Sequence, residues 1–509
     1  MSSAKEPVTR RFGNGLTVLI KEDKSHPVVS LQYWVGTGSM NEGHWQGSGL
    51  SHLLEHLVFK GTAHFSGQEL ARKVQERGGH WNAYTSVNRT VYYIDGPAES
   101  WQIFLNLLTE LVFFPTFPED EMEREKEVVR REMAMYADDP DSVAYQLLMQ
   151  TLYLKHPRRW PVLGERAAFD CLTRQDVLDY HASRYVPNNV VLSIAGDVDA
   201  AEILSHLELL VEDLKSRPLN REPIPHEPHQ FGSRRVRKEF AVPYSKLHLA
   251  WRLPCSAHPD TPALSALSSI LGGGRSARFY EKFHDRLGLV YSIEVHSNQS
   301  ETDEGAFTIS MDVDRAQRDK VRDLVLQELR NLAEEDFTED LKRVCKQTRV
   351  SRLRRRSSAS GVASEMGADW FGSRNLNLSS EWQEAIERVT TEDLHRVCST
   401  WLSSPNVTEV SLDPSGSNSG EEEGAASAAG TSLSEHVLGN GMKVVIREDH
   451  RLPLAYACMA FKAGCRAENE HDAGVTDLMS ECLLKGTSTR SAADIARFLE
   501  DIGGAINTS

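Results

Sequence analysis

The sequence predicts an α+β protein, with repeated α/β sandwich-like domains in which helices pack on a mainly antiparallel sheet. Two apolar segments near the start, residues 15–22 and 28–35, have the composition of strands. Several amphipathic helices follow, and residues 189–197 then form another apolar strand that ends in a turn. Strands, then helices, then a returning strand is the element order expected when helices cover one face of a sheet.

Composition divides the 509 residues into domains. Residues 216–235 are rich in Pro, His and Arg, which is typical of a linker. We therefore expect a first domain at 1–215 and a second domain of the same type at 236–413. Residues 414–432 are polar and of low complexity, which predicts a flexible linker. A third domain is expected to begin at 433 and to run to 509.

The third domain repeats the opening of the chain. Leu438-Gly-Asn-Gly-Met-Lys-Val-Val-Ile matches Phe12-Gly-Asn-Gly-Leu-Thr-Val-Leu-Ile, and Lys485-Gly-Thr matches Lys60-Gly-Thr. A repeat of this kind indicates an internal duplication. The sequence stops at Ser509, inside the repeat. We therefore expect it to be a fragment of a duplicated protein of about 850 residues, if the repeat is a full copy.

The overall charge limits the kinds of partner that the protein is expected to bind. The chain carries 57 Lys and Arg against 73 Asp and Glu, a net charge of −16. This balance argues against a nucleic-acid partner and mildly favours cationic peptides, although it is also ordinary for a soluble protein. No apolar run approaches the roughly 20 residues of a membrane span. No signal peptide is visible, and the seven scattered cysteines suit reduced thiols, so we expect a cytoplasmic protein.

Residues 47–61 carry the clearest chemical signal. A glycine turn leads into a predicted helix in which His52, Glu55 and His56 lie on the face opposite the leucines. Two histidines four residues apart can bind one ion, and the glutamate beside them can take a proton from a metal-bound water. This H-x-x-E-H order is the reverse of the commoner H-E-x-x-H zinc-protease pattern. The alternative is two histidines on the solvated face of an amphipathic helix.

Residues 118–136 predict a second helix that bears carboxylates. Glu125 and Glu132 lie inside or at the edge of its buried stripe. The residues assigned to that stripe are Met122, Val129, Met133 and Tyr136. A buried carboxylate is costly unless it is paired or ligates a metal. One of the two glutamates is therefore a natural third ligand, which leaves a fourth tetrahedral position for water.

With these motifs in this order, the chain resembles the pitrilysin/insulinase family of zinc metallopeptidases, the inverted zincins that include the mitochondrial processing peptidases. Glu132 follows His56 by 76 positions and Glu125 precedes Glu132 by seven, as in that family. The segments Gly78-Gly-His-Trp-Asn-Ala-Tyr-Thr-Ser and Thr90-Val-Tyr-Tyr extend the resemblance. It implies the metallopeptidase fold of the processing peptidases and LuxS.

When the family's functional residues are matched to this sequence one by one, the resemblance implies a zinc site. It assigns Zn²⁺ to His52, His56 and Glu132, with water as the fourth ligand. It makes Glu55 the base that deprotonates this water and returns the proton to the leaving amine. Glu125 would hold Glu132 or a ligand histidine in place.

The resemblance also implies how substrate binds. Asn82, Ala83 and Tyr84 would belong to an edge strand that pairs with an extended peptide; the alternative is an ordinary strand with a packed tyrosine. The family holds its substrate in a chamber between two halves. The other half would come from the same chain or from a homologous subunit. In the family an Arg and a Tyr from that half bind the reacting carbonyl; here Tyr291 is present, but His284 replaces the Arg, so Tyr291 receives no catalytic role.

Two functions are compatible with these features. The first is a zinc-dependent endopeptidase acting on unfolded peptides or small proteins. The second is a non-catalytic partner or scaffold subunit, since members of the family have lost the metal. The intact motif in the first half favours catalysis, whereas the repeat carries Asp477, Ser480 and Glu481 at the motif positions and is expected to be inactive. Without the second half, the chain is expected to bind zinc but to cleave poorly.

Overall fold

The computed structural model of the chain describes residues 6–219, 223–299, 305–403, 405–415, 433–447, 457–459, 461, 468, 474–483, 485–491 and 494–495. The chain divides into two compact units, Met1–Gly420 and Glu421–Ser509. The linker predicted at 414–432 lies outside the described residues from position 416 onward. Among the described residues, no helix combines the length and the apolar character needed to cross a membrane.

The first unit opens with a six-stranded sheet of spatial order β1-β2-β6-β3-β5-β4. Its strands are β1 (Val8–Arg11), β2 (Thr17–Glu22), β3 (Val28–Val35), β4 (His80–Thr85), β5 (Thr90–Pro97) and β6 (Val190–Gly196). All neighbours run antiparallel except β2 and β6, which are parallel. The sheet is therefore mainly antiparallel, as predicted, and β4 is an edge strand.

Eight helices accompany this sheet. They are α1 (Leu50–Val58), α2 (Gly67–Gln75), α3 (Trp101–Phe113), α4 (Glu119–Asp138), α5 (Pro140–Leu152), α6 (Arg166–Asp170), α7 (Arg174–Arg184) and α8 (Ala200–Leu210). The leucines of α1 and the apolar side of α3 pack on the sheet face that Leu31 and Tyr33 of β3 also enter. This one core holds the helix that bears the His-x-x-Glu-His motif against the sheet.

A second sheet follows, of order β7-β11-β8-β10-β9. Its strands are β7 (Arg234–Phe240), β8 (Ser245–Leu253), β9 (Ser292–Asn298), β10 (Gly305–Val313) and β11 (Thr408–Pro414). Its helices are α9 (Thr261–Gly272), α10 (Arg318–Asn331), α11 (Thr338–Arg355), α12 (Ala359–Ser373), α13 (Leu378–Glu387) and α14 (Thr391–Val397), with π-helical turns at Tyr280–Arg286 and Cys398–Leu402. Helices on a mixed, mainly antiparallel sheet again give the α+β class.

Helix α12 crosses from the second sheet to the first. It covers the face opposite α1, where Val362 and Met366 pack against Trp34 and Val191. Gly367 makes the approach possible, because a Cβ atom there would lie 2.3 Å from the Trp34 ring. The first sheet is therefore buried on both faces.

Helix α5 makes the reverse crossing, from the first sheet to the second. Leu148 and Leu152 of α5 pack with Ala250 and Val410 of β8 and β11. Since α5 follows α4 after the single residue Asp139, the second sheet also fixes the end of α4. Each sheet is thus covered in part by a helix that belongs in sequence to the other sheet: α12 packs on the first and α5 on the second.

The second unit contains a hairpin and a helix among its described residues. These are β12 (Leu433–Val437), β13 (Lys443–Arg447) and α15 (Val475–Cys482). The hairpin turn reproduces that between β1 and β2: Gly441 and Gly15 both have positive φ, at 85° and 91°. Gly474 before α15 is left-handed, as is Gly49 before α1. The local backbone thus follows the sequence repeat.

Candidate metal centre

Helix α1 is placed by its glycine turn and by its leucines. Gly49 precedes the helix in the left-handed region, and a Cβ atom there would lie 2.0 Å from the carbonyl oxygen of Leu163. No side chain of the turn caps the helix. Instead Glu42, fully buried, accepts a hydrogen bond of 2.8 Å from the backbone N–H of Ser51. Its oxygen thus satisfies one of the backbone N–H groups that the first turn of a helix leaves unpaired.

Helix α4 is held along its length by packing and by polar contacts. Met122 and Val129 enter the main core, as predicted. Lys126 is also buried, and its Nζ donates to the carbonyl oxygen of Leu172 at 2.9 Å. The assignment of Tyr136 to the buried stripe is wrong: half of its surface is exposed, because the last turns of α4 extend beyond the core. Met133 packs on the core only partly buried.

The two helices bring three candidate ligands together. Glu132 Oε2 lies 3.7 Å from His52 Nε2 and 3.8 Å from His56 Nε2. One ligand atom from each of the three side chains lies within 4.8 Å of the other two. In the part of the chain that the structure describes, this is the one group of three or more His, Cys, Asp or Glu residues with such geometry.

These separations suit a zinc ion. With metal–ligand distances of about 2.1 Å in a tetrahedron, ligand atoms lie about 3.4 Å apart. Glu132 Oε2 lies only a few tenths of an ångström beyond this separation from each of the two Nε2 atoms, a difference well within side-chain freedom. Two imidazoles and one carboxylate are also a donor set found in catalytic zinc sites, which keep one position open. The residues present thus fit the ion.

Glu125 supports His56 rather than pointing to the ligand position. Its Oε2 lies 3.1 Å from His56 Nδ1 and its Oε1 lies 2.5 Å from Lys60 Nζ. Burial works to raise the pKa of Glu125, but the hydrogen bonds from His56 and Lys60 outweigh it and hold the pKa below its ordinary value. An ionised Glu125 accepts the Nδ1 proton of His56, which leaves the Nε2 lone pair directed at the candidate site.

His52 is kept neutral by its surroundings. Burial, helped by the nearby His56, lowers the pKa of His52 to about 4. A neutral imidazole can act as a ligand at neutral pH without first losing a proton. Its Nδ1 is buried and has no hydrogen-bond partner among the described residues.

Glu55 projects from the same face of α1 and contacts the end of β4. Thr85 Oγ1 donates a hydrogen bond of 2.5 Å to Glu55 Oε2. Burial raises the pKa of Glu55, while this hydrogen bond works in the opposite direction. A carboxyl group whose pKa is raised toward neutrality is suited to accepting and releasing a proton.

The three residues assigned to substrate lie on the open edge of the first sheet. Asn82, Ala83 and Tyr84 are in β4, which pairs with β5 and with no other described strand. Ala83 packs toward the core that contains α1. Tyr84 is partly exposed and meets the ring of Trp34 edge-on, with 6.5 Å between the ring centroids. Tyr84 thus packs on Trp34 with one side exposed, and the outer edge of β4 is paired with no described strand.

Tyr291 and His284, noted in the second half, make contacts of their own away from this group. The Tyr291 hydroxyl donates to Asp314 at 2.9 Å, and His284 pairs with Asp285. The side chains of Asp477 and Glu481 lie outside what the structure describes.

Sequence reasoning missed three residues that hold the site in place. Lys60 belongs to a quoted motif but received no role, and its contact with Glu125 depends on α4. Thr85 and Glu42 gave no local signal: Thr85 reaches α1 from a strand 30 positions away, and the contact of Glu42 with Ser51 depends on how the turn between them folds. For Lys60, its position one turn beyond His56 on the helix was the available signal.

Comparison with known proteins assigns the chain to a family. Residues 17–166 and 443–509 match the family model described as Insulinase (Peptidase family M16), and residues 172–347 match the one described as Peptidase M16 inactive domain. An uncharacterized zinc protease of Mycobacterium tuberculosis (strain H37Rv) is 30% identical over 299 residues, which are 57% of this chain and 67% of the relative. The chain belongs to the insulinase (M16) family. The same M16 model thus matches both copies of the sequence repeat.

Other M16 relatives extend over most of the chain. An uncharacterized zinc protease of Rickettsia felis is 27% identical over 412 residues, covering 79% of this chain and 96% of the relative. A crystal structure of a protease from Helicobacter pylori has a TM-score of 0.73 at 26% identity and covers 80% of this chain and 100% of its own. The fold is therefore shared with that protease over 80% of this chain.

Proposed function

We propose that this M16 protein is a zinc-dependent endopeptidase that hydrolyses unfolded peptides or small proteins. The observation that carries the proposal is the position of Glu132 Oε2, 3.7 Å and 3.8 Å from the Nε2 atoms of His52 and His56. The names of the relatives, which are zinc proteases, support the same metal. His52, His56 and Glu132 would hold the ion.

Zinc bound at this position would polarise a peptide carbonyl and lower the pKa of a nearby water. Glu55 would take a proton from the attacking water at Oε1 or Oε2 and deliver it to the nitrogen of the leaving amine. Thr85 would keep the Glu55 carboxylate turned toward the end of β4 through its hydrogen bond. Glu125 would fix the tautomer and the ring plane of His56.

The peptide would bind by strand addition along β4. A strand paired on one side only offers N–H and C=O groups to an extended chain. Asn82, Ala83 and Tyr84 would contribute these backbone groups, in a strand that ends at Thr85 beside Glu55. Folded proteins have already paired their backbone groups, so extended and unfolded segments are the favoured substrates. A second half, from the same chain or from a homologous subunit, would enclose the peptide.

The test is digestion of an unstructured protein such as reduced casein by the purified protein together with the second half that would enclose the peptide, with chelator and zinc add-back. We expect hydrolysis that chelation abolishes and zinc restores. The Glu55→Gln variant should keep its zinc and lose about 10²–10⁴-fold in turnover, the usual contribution of a general base. Glu76→Gln, an exposed glutamate just after α2, is the matched control.

Two outcomes would count against the proposal. Full turnover in Glu55→Gln would show that another group moves the proton. Stoichiometric zinc without hydrolysis of any unfolded substrate would favour the second candidate, a non-catalytic partner subunit.

A further inference from the structure

A cavity of about 570 Å³ opens on the face of the first sheet opposite α1. It lies where Thr17 of β2 and Val190 and Val191 of β6 meet the last turn of α12, Trp370 to Arg374. The volume is in the range of sites that bind small molecules. None of the candidate zinc ligands, and neither Glu55 nor Glu125, lines this cavity.

The charge of the lining is opposite to that of the protein. Two arginines, Arg11 and Arg374, line the cavity, and no Asp or Glu does so, although the chain has 73 acidic residues and a net charge of −16. Neither arginine forms an ion pair or a side-chain hydrogen bond with any residue that the structure describes. Partial burial and the nearby positive charge of Arg11 lower the pKa of Arg374, although its side chain stays exposed. Two cations that repel each other in this way are stabilised by an anion between them.

Arg374 alone has a simpler explanation, since a cation at a helix C-terminus interacts favourably with the helix dipole. That explanation does not extend to Arg11, which lies in β1 of the first sheet. The feature that points to a ligand is therefore that two arginines from elements 363 positions apart line one cavity.

The rest of the lining offers a donor and apolar walls. Asn41 uses its amide oxygen to accept from the N–H of Gly38, which leaves its NH₂ group as a donor. Met40, Val190 and Phe371 give the cavity apolar surface. The ligand should therefore combine an anionic acceptor group with an apolar body.

We propose that this cavity binds a carboxylate attached to an apolar group, the chemistry presented by an N-acylated amino acid or by the C-terminal residue of a peptide. A guanidinium fork matches a carboxylate in a bidentate manner. A phosphate would place further charged oxygens against the apolar walls, which is unfavourable. The cavity is separate from the candidate zinc site and lies on the other face of the sheet, so this inference does not depend on the proposed peptidase activity.

The test is calorimetric titration of the protein with N-acetylphenylalanine and with N-acetylphenylalanine amide. We expect the free acid to bind at least about tenfold more tightly than the amide, because a charged hydrogen bond is lost in the amide. Arg11→Gln and Arg374→Gln should each weaken binding of the acid at least about fivefold. Arg388→Gln is the matched control. Arg388 is an exposed arginine at the end of α13 that pairs with Glu384 and does not line the cavity.

Three arms make the experiment decisive. Both arginines are exposed, so unchanged melting temperatures should show that the variants are folded. The titration is repeated on chelator-treated and dialysed protein, and binding should persist, because a carboxylate held by zinc would be lost there. A ten-residue peptide ending in phenylalanine, with a free or an amidated C-terminus, then distinguishes peptide ends from small acids as the source of the carboxylate.

The proposal is overturned by equal binding of acid and amide, by binding that both arginine variants leave unchanged, or by binding that disappears with the metal. Inorganic phosphate competing as well as N-acetylphenylalanine would also overturn it, since the apolar walls would then have no role. Failure of peptide hydrolysis would affect none of these readouts.

Discussion

His56 and Glu125 form a hydrogen-bonded pair, with 3.1 Å between Nδ1 and Oε2, although they are 69 positions apart in the chain. The pair joins α1, which bears the two histidines, to α4, which bears Glu132. Because Lys60 holds the other oxygen of Glu125, the carboxylate is fixed on both sides. The orientation of one candidate ligand therefore depends on the same helix that supplies another.

Replacing Glu125 by Gln should weaken zinc binding. The amide is neutral and can turn its NH₂ group toward His56, so it no longer fixes the tautomer that directs Nε2 at the ion. We expect a loss of about 10–100-fold in zinc affinity, measured by competition with a chromophoric chelator. Lys60→Met should weaken binding less, since Glu125 stays in place. Glu123→Gln, exposed on the same helix, is the control, and equal affinities of Glu125→Gln and Glu123→Gln would contradict the assignment.

Replacing Glu132 by Gln should remove zinc from the purified protein. Loss of one of three protein ligands leaves two imidazoles, which hold the ion weakly in competition with water. The measurement is metal content by mass spectrometry after dialysis, with Glu123→Gln again as the control. Near-stoichiometric zinc in the Glu132→Gln protein would show that another acid completes the site.

The core of the candidate site was accessible to sequence reasoning because its signal is local. His52, Glu55 and His56 share one helix face, so their proximity follows from helical periodicity alone. The choice between Glu125 and Glu132 did not follow from the residues, and the geometry separates them: Glu132 faces both Nε2 atoms, whereas Glu125 faces Nδ1. Glu42 and Thr85 could not be found, because their contacts with α1 are created by tertiary structure.

The fold was predictable for the same reason, element by element. The strands Thr17–Glu22, Val28–Val35 and Val190–Gly196 lie within the three apolar segments predicted as strands. The exchange of α5 and α12 between the two sheets was not predictable. The apolar spacing of a helix shows that one face is buried, but not which sheet that face packs against.

Gly367→Ala should destabilise the packing of α12 on the first sheet. The new Cβ atom would lie 2.3 Å from Cε2 of the Trp34 ring, which is buried and cannot move without disturbing its neighbours. We expect a loss of about 1–3 kcal/mol in the free energy of unfolding, measured by urea denaturation. Gly13→Ala is the control, because no heavy atom lies within 4 Å of its added Cβ. Equal stability of the two variants would show that α12 does not press on Trp34.

Glu42 should make the stability of the protein depend on pH. Burial raises its pKa to about 8, against opposing hydrogen bonds from Ser51 and neighbouring amides. Between the ordinary carboxyl pKa and pH 8, the folded protein therefore holds a proton that the unfolded chain has lost. The contribution of Glu42 to the free energy of unfolding therefore falls as pH rises through that window, by at most about 1.4 kcal/mol per pH unit.

Glu42→Gln removes this titration and keeps an acceptor for the N–H of Ser51. The variant should therefore gain stability relative to the parent protein as pH rises from 5 to 8, measured by urea denaturation at each pH. Glu99→Gln, exposed before α3, should follow the parent at every pH. A stability difference between Glu42→Gln and the parent that stays constant across this range would mean that Glu42 is ionised in the folded protein, with the N-terminus of α1 as its counter-charge.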